Sequence, residues 1–283
     1  MAPRTSPTER QRRLGSEVRK MRVSAGMSAE TAAGLLGVDR AKISNIENGI
    51  RTISPERLRT LACNCALGDD AYLEALTAMA RPAKRGWWER YRGSLSGALL
   101  DIAELESTAP RMRSAHAVHI PGILQTSDQA AAVFRVVVPK LSEQETGLRL
   151  AFRMERQQIL EGDDPPAYVG LVHEAALRMQ FGGRGTAARQ LQHLLALSER
   201  PNITLLAIPF SAGAFPGSGQ TVNYMEGPVR QLDTVEVDCS HGAEFLSGEA
   251  QLSKYRAHLD WMEDIALSPQ ESRDFIRRIA NEL

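Results

Sequence analysis

The sequence has little of what marks several common classes of protein. Its 283 residues include three cysteines, Cys63, Cys65 and Cys239, which form no CxxC pair. This spacing excludes a disulfide scaffold and argues against a zinc site. No apolar run approaches the ~20 residues of a transmembrane helix, and the first residues lack the apolar core of a secretory signal. We therefore expect a cytoplasmic protein with reduced cysteines and no membrane contact.

Catalytic motifs are also missing. The histidines form no HExxH pair, and neither GxSxG nor a Walker motif is present. The glycine-rich stretch GAFPGSGQT, residues 213–221, lacks the GK[ST] ending of a phosphate loop and lies between two predicted strands, so we expect a hairpin or a mobile lid. Glu174 and Arg178 have the spacing of a helix ion pair rather than of an acid–base couple. We expect no enzyme activity, no catalytic residue, no metal and no cofactor.

The chain has no net charge, yet its charge is unevenly distributed. Residues 1–60 carry a formal charge of +6, and residues 61–283 therefore carry −6. A basic segment joined to an acidic remainder is typical of a small phosphate-binding module on a larger body. On charge alone, a basic N-terminal arm without such a function remains the alternative.

The basic segment contains the start and stop signals of several short helices. Apolar residues at helical spacing begin at Leu14 and end before Gly26. Ser28 is a candidate N-cap for a second helix ending at Gly37, and Asp39 for a third ending at Gly49. Two further helices follow: Ser54-Pro55 begins one, and Asp69 and Asp70 begin another, for which we predict a buried stripe. That stripe consists of Leu73, Leu76 and Met79.

The predicted third helix has two chemically different faces. Ile43 and Ile46 share one face and, with Val38, fill the wedge against the second helix. The opposite face carries hydrogen-bonding side chains and almost no acid, whereas a solvated bundle helix usually mixes Glu with Lys. Arg suits guanine, Asn suits adenine, and Ser and Lys suit phosphate oxygens. We therefore predict that this face contacts DNA.

These residues resemble the helix-turn-helix of Xre-type and phage-repressor regulators. Residues 26–49, GMSAETAAGLLGVDRAKISNIENG, contain the small residue, turn glycine, isoleucine wedge and closing IxxIENG of that family. The resemblance covers about a fifth of the chain and implies DNA contacts at seven positions. They are Arg40, Ala41, Ser44 and Asn45 for bases, and Lys42, Asn48 and Arg51 for phosphates.

Three further positions bear on that resemblance. It implies an internal role for Glu47. The family often has Gln at the start of the second helix, where it holds a phosphate, and this chain has Ala29. The family also favours a large aliphatic residue where this chain has Ala32, so we expect looser packing there. Ala29 leaves one expected phosphate anchor unfilled.

The remaining two-thirds of the chain changes pattern. We interpret WWERYRG, residues 87–93, as an apolar anchor rather than a base-stacking platform. Arg149, Arg153 and Arg156 form a stripe on a predicted helix, and we expect a solvated, salt-bridged face rather than an anion site. Four strands are predicted at AYVGLVH, ITLLAIPF, GQTVNYME and DTVEVDC. A small mixed sheet flanked by helices is the packing that these elements favour.

This second part also resembles a known family. The stretches IPGILQTSDQAAAV, FRMERQQIL, HEAALRMQFGG and SPQESRDFI occur in the order and spacing of a large domain found in actinomycete (Streptomyces-type) Xre-family regulators, described as antitoxin-like and of unknown function. The chain departs from that family at Ser127-Asp128-Gln129, where Tyr-Ala-Arg is usual. The resemblance implies transcriptional control, often beside a gene for a small partner protein, and supplies no ligand.

The sequence thus predicts a multidomain protein with three segments. Residues 1–80 form an all-α, phage-repressor-like helix-turn-helix DNA-binding domain, 81–92 a linker with the aromatic anchor, and 93–283 an α+β regulatory, dimerisation and partner-binding domain. We expect a homodimeric, nucleoid-associated regulator that binds double-stranded operator DNA and responds to a protein partner or a small effector. An antitoxin-like protein that neutralises a small partner and autoregulates its operon is the alternative, and an enzyme of unrecognised chemistry is the third hypothesis.

Overall fold

The computed structural model describes residues 6–82, 85–217 and 219–283. These residues divide into two compact units, an N-terminal unit within Met1–Glu89 and Pro228–Gln231, and a C-terminal unit of Arg90–Gly227 and Leu232–Leu283. The first is all-α and the second is α+β, which confirms the predicted fold class. Within the predicted linker, Ala83 and Lys84 lie outside the described residues.

The N-terminal unit contains helices that begin where the sequence places their caps. They are α1 (Glu9–Ser24), α2 (Ala29–Leu36), α3 (Arg40–Glu47), α4 (Pro55–Asn64) and α5 (Asp70–Ala80). Ser28, Asp39 and Ser54 each accept a hydrogen bond from the third backbone N–H of the helix that follows, which confirms these N-caps. Helix α1 begins five residues earlier than predicted, because Thr8 and Gln11 form a complete capping box.

The buried face of α5 differs from its predicted stripe. Leu76 is fully buried, but Leu73 and Met79 are only half-buried, whereas Tyr72 and Ala75 are buried. The Tyr72 hydroxyl donates a hydrogen bond to the buried carboxylate of Glu17 in α1. A buried phenol needs such a partner, so this bond turns Tyr72 inward and rotates the helix relative to the apolar pattern.

A six-stranded mixed sheet forms the centre of the C-terminal unit. Its strands are β1 (Arg111–His116), β2 (Ala167–His173), β3 (Ile203–Ile208), β4 (Thr221–Met225), β5 (Thr234–Cys239) and β6 (Gly242–Leu246), and their order across the sheet is β3-β2-β1-β4-β5-β6. Strands β1, β2 and β3 are parallel, and the remaining pairings are antiparallel. The four predicted strands are present. Strands β1 and β6 were not predicted from the sequence.

Helices cover both faces of this sheet. They are α6 (Gly97–Glu106), α7 (Ser127–Arg135), α8 (Glu143–Arg156), α9 (Glu174–Arg178), α10 (Arg184–Leu197), α11 (Glu249–Ile265) and α12 (Pro269–Glu282). Leu191, Leu194 and Ile276 belong to the core on one face, which α10 and α12 cover. Leu252, Leu259 and Met262 of α11 belong to the core on the other face. None of the helices in the described ranges combines the length and apolar character needed to cross a bilayer.

The arginine stripe of α8 is not the solvated face that the sequence analysis expected. Arg156 donates two hydrogen bonds of 2.6 Å to the buried carboxylate of Glu106. Arg153 donates to the amide oxygen of Gln125 at 2.7 Å, and its guanidinium lies 4.3 Å from the ring centre of Phe134. Both arginines therefore point into the C-terminal unit, because partners there satisfy donors that cannot be left unpaired in the interior.

Polar side chains continue from these arginines across the middle of the sheet, from β2 to β5. Ser114 and Tyr168 share a hydrogen bond of 2.6 Å, and Asn223 donates to the Glu236 carboxylate at 2.5 Å. Burial, and to a lesser extent nearby Asp238, raises the pKa of Glu236 to about 7. Burial lowers the pKa of His116 to about 3. We call Glu106, Arg156, His116, Asn223 and Glu236 the polar layer; it carries ionisable groups whose charged forms burial disfavours.

Two further predictions concern the β3–β4 connection and the aromatic segment WWERYRG. Residues 213–221, of which Ser218 lies outside the described residues, belong to the connection from β3 to β4. These two strands are not neighbours in the sheet, so the predicted hairpin is wrong. Trp88 and Tyr91 are buried. The Tyr91 ring meets Phe152 of α8 edge-on at 5.2 Å, and its hydroxyl donates to Glu155 at 3.0 Å. Tyr91 is thus a packed anchor and has no face free for stacking on a base.

Candidate nucleic-acid interface

The turn between α2 and α3 is built by three consecutive residues, Gly37, Val38 and Asp39. Gly37 adopts a left-handed conformation with φ of +60°, which side chains other than glycine rarely adopt. The Val38 N–H then donates to the Ala33 carbonyl at 3.0 Å and closes α2. Asp39 accepts the Lys42 N–H at 2.6 Å and opens α3. This two-helix motif is the helix-turn-helix that the sequence predicts.

The inner face of α3 is fixed by packing against α2 and α1. Ile43 and Ile46 are 2% and 3% exposed, and Ala33 of α2 is buried with them, whereas Val38 is half-buried. The two isoleucines of the predicted wedge are therefore buried. Gly15 of α1 was not predicted to take part. A Cβ atom at Gly15 would overlap the carbonyl oxygen of Ile46 and lie 2.7 Å from that of Glu47. Gly15 therefore allows the backbones of α1 and α3 to touch, and a glycine beside apolar Leu14 and Val18 was the available signal.

A second contact with α1 holds the end of α3. The Arg22 guanidinium donates to the two carboxylate oxygens of Glu47 at 2.5 and 3.0 Å, and also to the Met27 carbonyl at 2.7 Å. This pairing raises the pKa of Arg22. Paired carboxylate–guanidinium forks fix orientation as well as distance. Glu47 thus faces α1 rather than solvent, as its implied internal role requires.

The outer face of α3 is left to solvent. Arg40, Ala41 and Ser44 are exposed, and Lys42 and Asn45 are half-exposed. Within the described residues, neither Arg40 nor Lys42 has a carboxylate within ion-pairing distance. The structure therefore brings the predicted base-contacting residues together on one surface of α3, with their polar groups free of intramolecular charge partners.

The other predicted phosphate contacts lie at the end of α3. The Asn48 side chain donates to the Ser44 carbonyl at 2.8 Å, so it currently caps its own helix rather than projecting outward. Arg51 is exposed, and its backbone N–H donates to the Asn45 carbonyl at 3.1 Å. Gly49 permits that turn with φ of +72°. Ala29, at the start of α2, is half-buried and offers no side-chain donor.

Other groups of chemical interest lie in the C-terminal unit. Glu174 and Arg178 form the predicted helix ion pair at 2.6 Å, and the second Glu174 oxygen accepts the Phe210 N–H at 2.8 Å. Among the described residues, Cys239, His241 and Glu244 at the β5–β6 turn place potential metal-ligand atoms within 4.8 Å of one another. His241 already shares a hydrogen bond of 2.8 Å with Glu244. We assign no cofactor to these groups.

Comparison with known proteins supports a division into two parts. Residues 13–76 match a family described as a helix-turn-helix domain. Residues 99–278 match a family described as a domain of unknown function (DUF5753). No curated protein and no solved structure matches the chain. The first match includes the α2–turn–α3 motif and all of its outer face, so the chain is a DNA-binding regulator of the helix-turn-helix type. Because the second match spans well over half of its length, the chain belongs to the DUF5753 family.

Proposed function

We propose that the chain is a sequence-specific, homodimeric transcriptional regulator that places α3 in the major groove of operator DNA. Each protomer would contact one half-site, and the two half-sites would lie about 34 Å apart, one helical turn, or a multiple of it. The C-terminal unit would hold the dimer and respond to a partner protein or a small effector. Such a protein works in the cytoplasm, on the nucleoid.

The observation that carries this proposal is the outer face of α3. Its exposed and half-exposed side chains can donate and accept hydrogen bonds, and within the described residues its cations have no carboxylate partner. We assign base contacts to Arg40 and Asn45, because bidentate pairs of Arg with guanine and Asn with adenine give the strongest discrimination. Ala41 and Ser44 complete the base-reading surface.

Phosphate contacts follow from position and charge. We assign them to Lys42, Asn48 and Arg51, which flank the base-reading surface on α3 and on the turn that follows it. Asn48 must exchange its bond to the Ser44 carbonyl for one to a phosphate oxygen, and this exchange keeps its amide satisfied. Such contacts fix the register of the protein on DNA and carry no sequence information.

The domain assignment is part of the same proposal. We assign residues 1–80 to DNA binding, 81–92 to the linker and anchor, and 93–283 to dimerisation and regulation. The resemblance to actinomycete Xre-type regulators supports this division, as does the charge difference between the basic first 60 residues and the acidic remainder. A protein partner is favoured by the resemblance to domains whose genes often neighbour that of a small protein.

A gel-shift experiment on the chain's own upstream DNA tests the base-reading surface. The double variant Arg40→Ala/Asn45→Ala should lose specific binding, because each lost bidentate contact costs about 1–3 kcal/mol. Its thermal unfolding should match that of the wild type, since neither side chain is buried. Arg59→Ala/Asn64→Ala, which removes the same residue types from the exposed face of α4, is the matched control. Unchanged specificity of the α3 variant would exclude this surface.

An antitoxin-like function is the second candidate. In it the C-terminal unit neutralises a small partner protein, and DNA binding serves autoregulation. The resemblance of the C-terminal part to antitoxin-like domains is what favours it. Native mass spectrometry of the full chain with and without the product of the adjacent gene separates the two. A stable complex that relieves the activity of that product supports the antitoxin function, and no complex excludes it.

A further inference from the structure

The C-terminal unit contains a cavity of about 320 Å³ between α11 and one face of the sheet. Its floor is apolar and is formed by Ala115 of β1, Val222 of β4, and Leu259 and Met262 of α11. Ala115 and Val222 are neighbours in the sheet register and are both buried. Pockets that hold small molecules have volumes of about 300–1,000 Å³, so the volume of this cavity falls at the small end of that range.

The cavity exists because the β3–β4 connection crosses the sheet. The ends of β1, β2 and β3 and the start of β4 lie along one edge, so the chain from Ile208 to Thr221 must pass over the ends of β2 and β1. Its beginning is held by the Glu174 carboxylate, which accepts the Phe210 N–H at 2.8 Å. The His173 ring lies 5.2 Å from that of Phe210 and 5.4 Å from that of Phe215.

The second part of that connection forms the roof of the cavity. Pro216, Gly217, Gly219 and Gln220 belong to its lining. Gly217 and Gly219 have φ of +87° and +76°, a backbone conformation that other residues rarely adopt. A Cβ atom at Gly217 would lie 3.5 Å from the His258 ring. The glycines therefore bring the backbone close to α11 while leaving the apolar floor open.

The polar groups of the cavity all come from its walls and mouth. Lys254, Tyr255 and His258 lie on one side of α11, and the ring centres of Tyr255 and His258 are 5.9 Å apart. Burial is the main cause that raises the pKa of Tyr255, so its hydroxyl is a neutral donor. No carboxylate is present among the described lining residues. The lining thus offers one ammonium group and neutral hydrogen-bonding side chains around an apolar floor.

We propose that this cavity binds a small organic anion, with the apolar body of the ligand against Ala115, Val222 and Met262 and its carboxylate or sulfonate at Lys254. Lys254 is exposed at the mouth, where its ammonium group can pair with an anionic head group. A cation would meet that ammonium group with no acid among the described lining residues to offset it. The proposal rests on the proposed function in one respect, since the anion would be the effector to which the regulator responds.

Calorimetric titration of the full chain with three matched probes tests this site without DNA. The probes are 2-naphthoate, neutral 2-naphthalenemethanol and cationic 2-naphthylmethylamine. The wild type should bind naphthoate saturably with one site per chain, and more tightly than either other probe. Lys254→Gln should weaken naphthoate about tenfold, which corresponds to about 1.4 kcal/mol, and should leave the neutral probe unchanged. Lys140→Gln, an exposed lysine elsewhere in the same unit, is the matched control.

A second variant tests the cavity itself. His258→Trp fills the mouth from a half-exposed position and does not disturb the buried floor. It should abolish binding of all probes while thermal unfolding remains that of the wild type. Absence of saturable binding up to millimolar naphthoate overturns the proposal, and so does equal affinity for the three probes or binding unchanged in both variants. None of these outcomes depends on operator binding, so failure here is distinct from failure of the α3 variants.

A final arm connects the site to regulation. The gel shift is repeated with naphthoate at a saturating concentration on wild type and on Lys254→Gln at the same concentration. A change in operator affinity in the wild type alone supports an effector site. Probe binding without a change in operator affinity overturns the effector role.

Discussion

Two helical glycines of the N-terminal unit have opposite structural roles. A Cβ atom at Gly15 would overlap the backbone of α3, whereas nothing lies within 4 Å of one at Gly34. Both are interior helix residues, where alanine is intrinsically preferred over glycine by about 1 kcal/mol. The difference between them is therefore one of tertiary contact rather than of helix propensity.

We predict that Gly15→Ala destabilises the N-terminal unit by about 1–3 kcal/mol, the usual cost of overpacking. It should also weaken operator binding, because α3 must move away from α1. Gly34→Ala should stabilise the same unit by up to about 1 kcal/mol. Denaturant unfolding followed by circular dichroism measures both. Equal effects of the two substitutions would contradict the close approach of α1 to α3.

Strand β1 shows why one central element was missed. Its letters, RMRSAH, carry two arginines and a histidine, and such a sequence does not alternate apolar with polar residues. In the sheet, Arg113 is satisfied by Asp260 and Glu263 of α11, and Ser114 by Tyr168 of β2. The partners come from distant parts of the chain, so the local sequence gives no sign that these polar residues are buried.

Two members of the polar layer, Glu236 and His116, should make contributions to folding stability that change with pH in opposite directions. Glu236 has a pKa of about 7 in the folded state against an ordinary value of 4.5, so its stabilising contribution is complete below pH 4.5 and is lost as the pH rises to 7. His116 has a pKa of about 3 against 6.5, so its contribution is complete above pH 6.5 and is lost as the pH falls toward 3. The charges that act on Glu236 are those of Arg156 and Glu106 in the polar layer and of Asp238 beside it.

We therefore predict that Glu236→Gln gains stability relative to the wild type as the pH rises from 4.5 to 7, by about 1 kcal/mol per pH unit. His116→Asn should lose stability relative to the wild type as the pH rises from 3 to 6.5. Urea unfolding of each variant across this range gives the differences. Glu244→Gln, which removes an exposed carboxylate from β6, is the matched control. Parallel curves for all three variants would contradict the burial of these charges.

At the scale of the whole molecule, the proposed function assigns DNA recognition to the N-terminal unit and dimerisation to the C-terminal unit. The seven proposed DNA-contacting residues belong to the N-terminal unit, while the proposed dimer contacts belong to the C-terminal unit. When a dimer joins two DNA-binding units, binding of the first unit raises the effective concentration of the second at its half-site. The affinity for paired half-sites then rises by about 10²–10⁴-fold.

We predict that residues 1–89 alone bind the operator at least about 100-fold more weakly than the full chain. Fluorescence anisotropy with a labelled operator measures both affinities, after circular dichroism has shown that the fragment is helical. The difference in affinity between fragment and full chain should be smaller on DNA with a single half-site, because only one DNA-binding unit of the dimer can then bind. Equal affinity of fragment and full chain for the whole operator would contradict a functional dimer.

The sequence alone determined the features that depend on neighbouring residues. The caps at Ser28, Asp39 and Ser54, the turn at Gly37 and the two faces of α3 all follow from spacing within a few residues. The same is true of the four predicted strands, because apolar letters there are continuous or alternate. The difference in net charge between residues 1–60 and residues 61–283 also follows from the sequence alone.

Tertiary structure decided the features that depend on distant partners. Arg153 and Arg156 resemble a solvated stripe, and only the positions of Gln125 and Glu106 turn them inward. Gly15 is important because α3 lies against it, and the β3–β4 connection covers a cavity because β2 and β1 lie between its ends. A polar side chain can be buried only where a hydrogen-bond or ion-pair partner is available in the interior. The folded chain supplies that partner from a distant segment, so no local sequence pattern can reveal it.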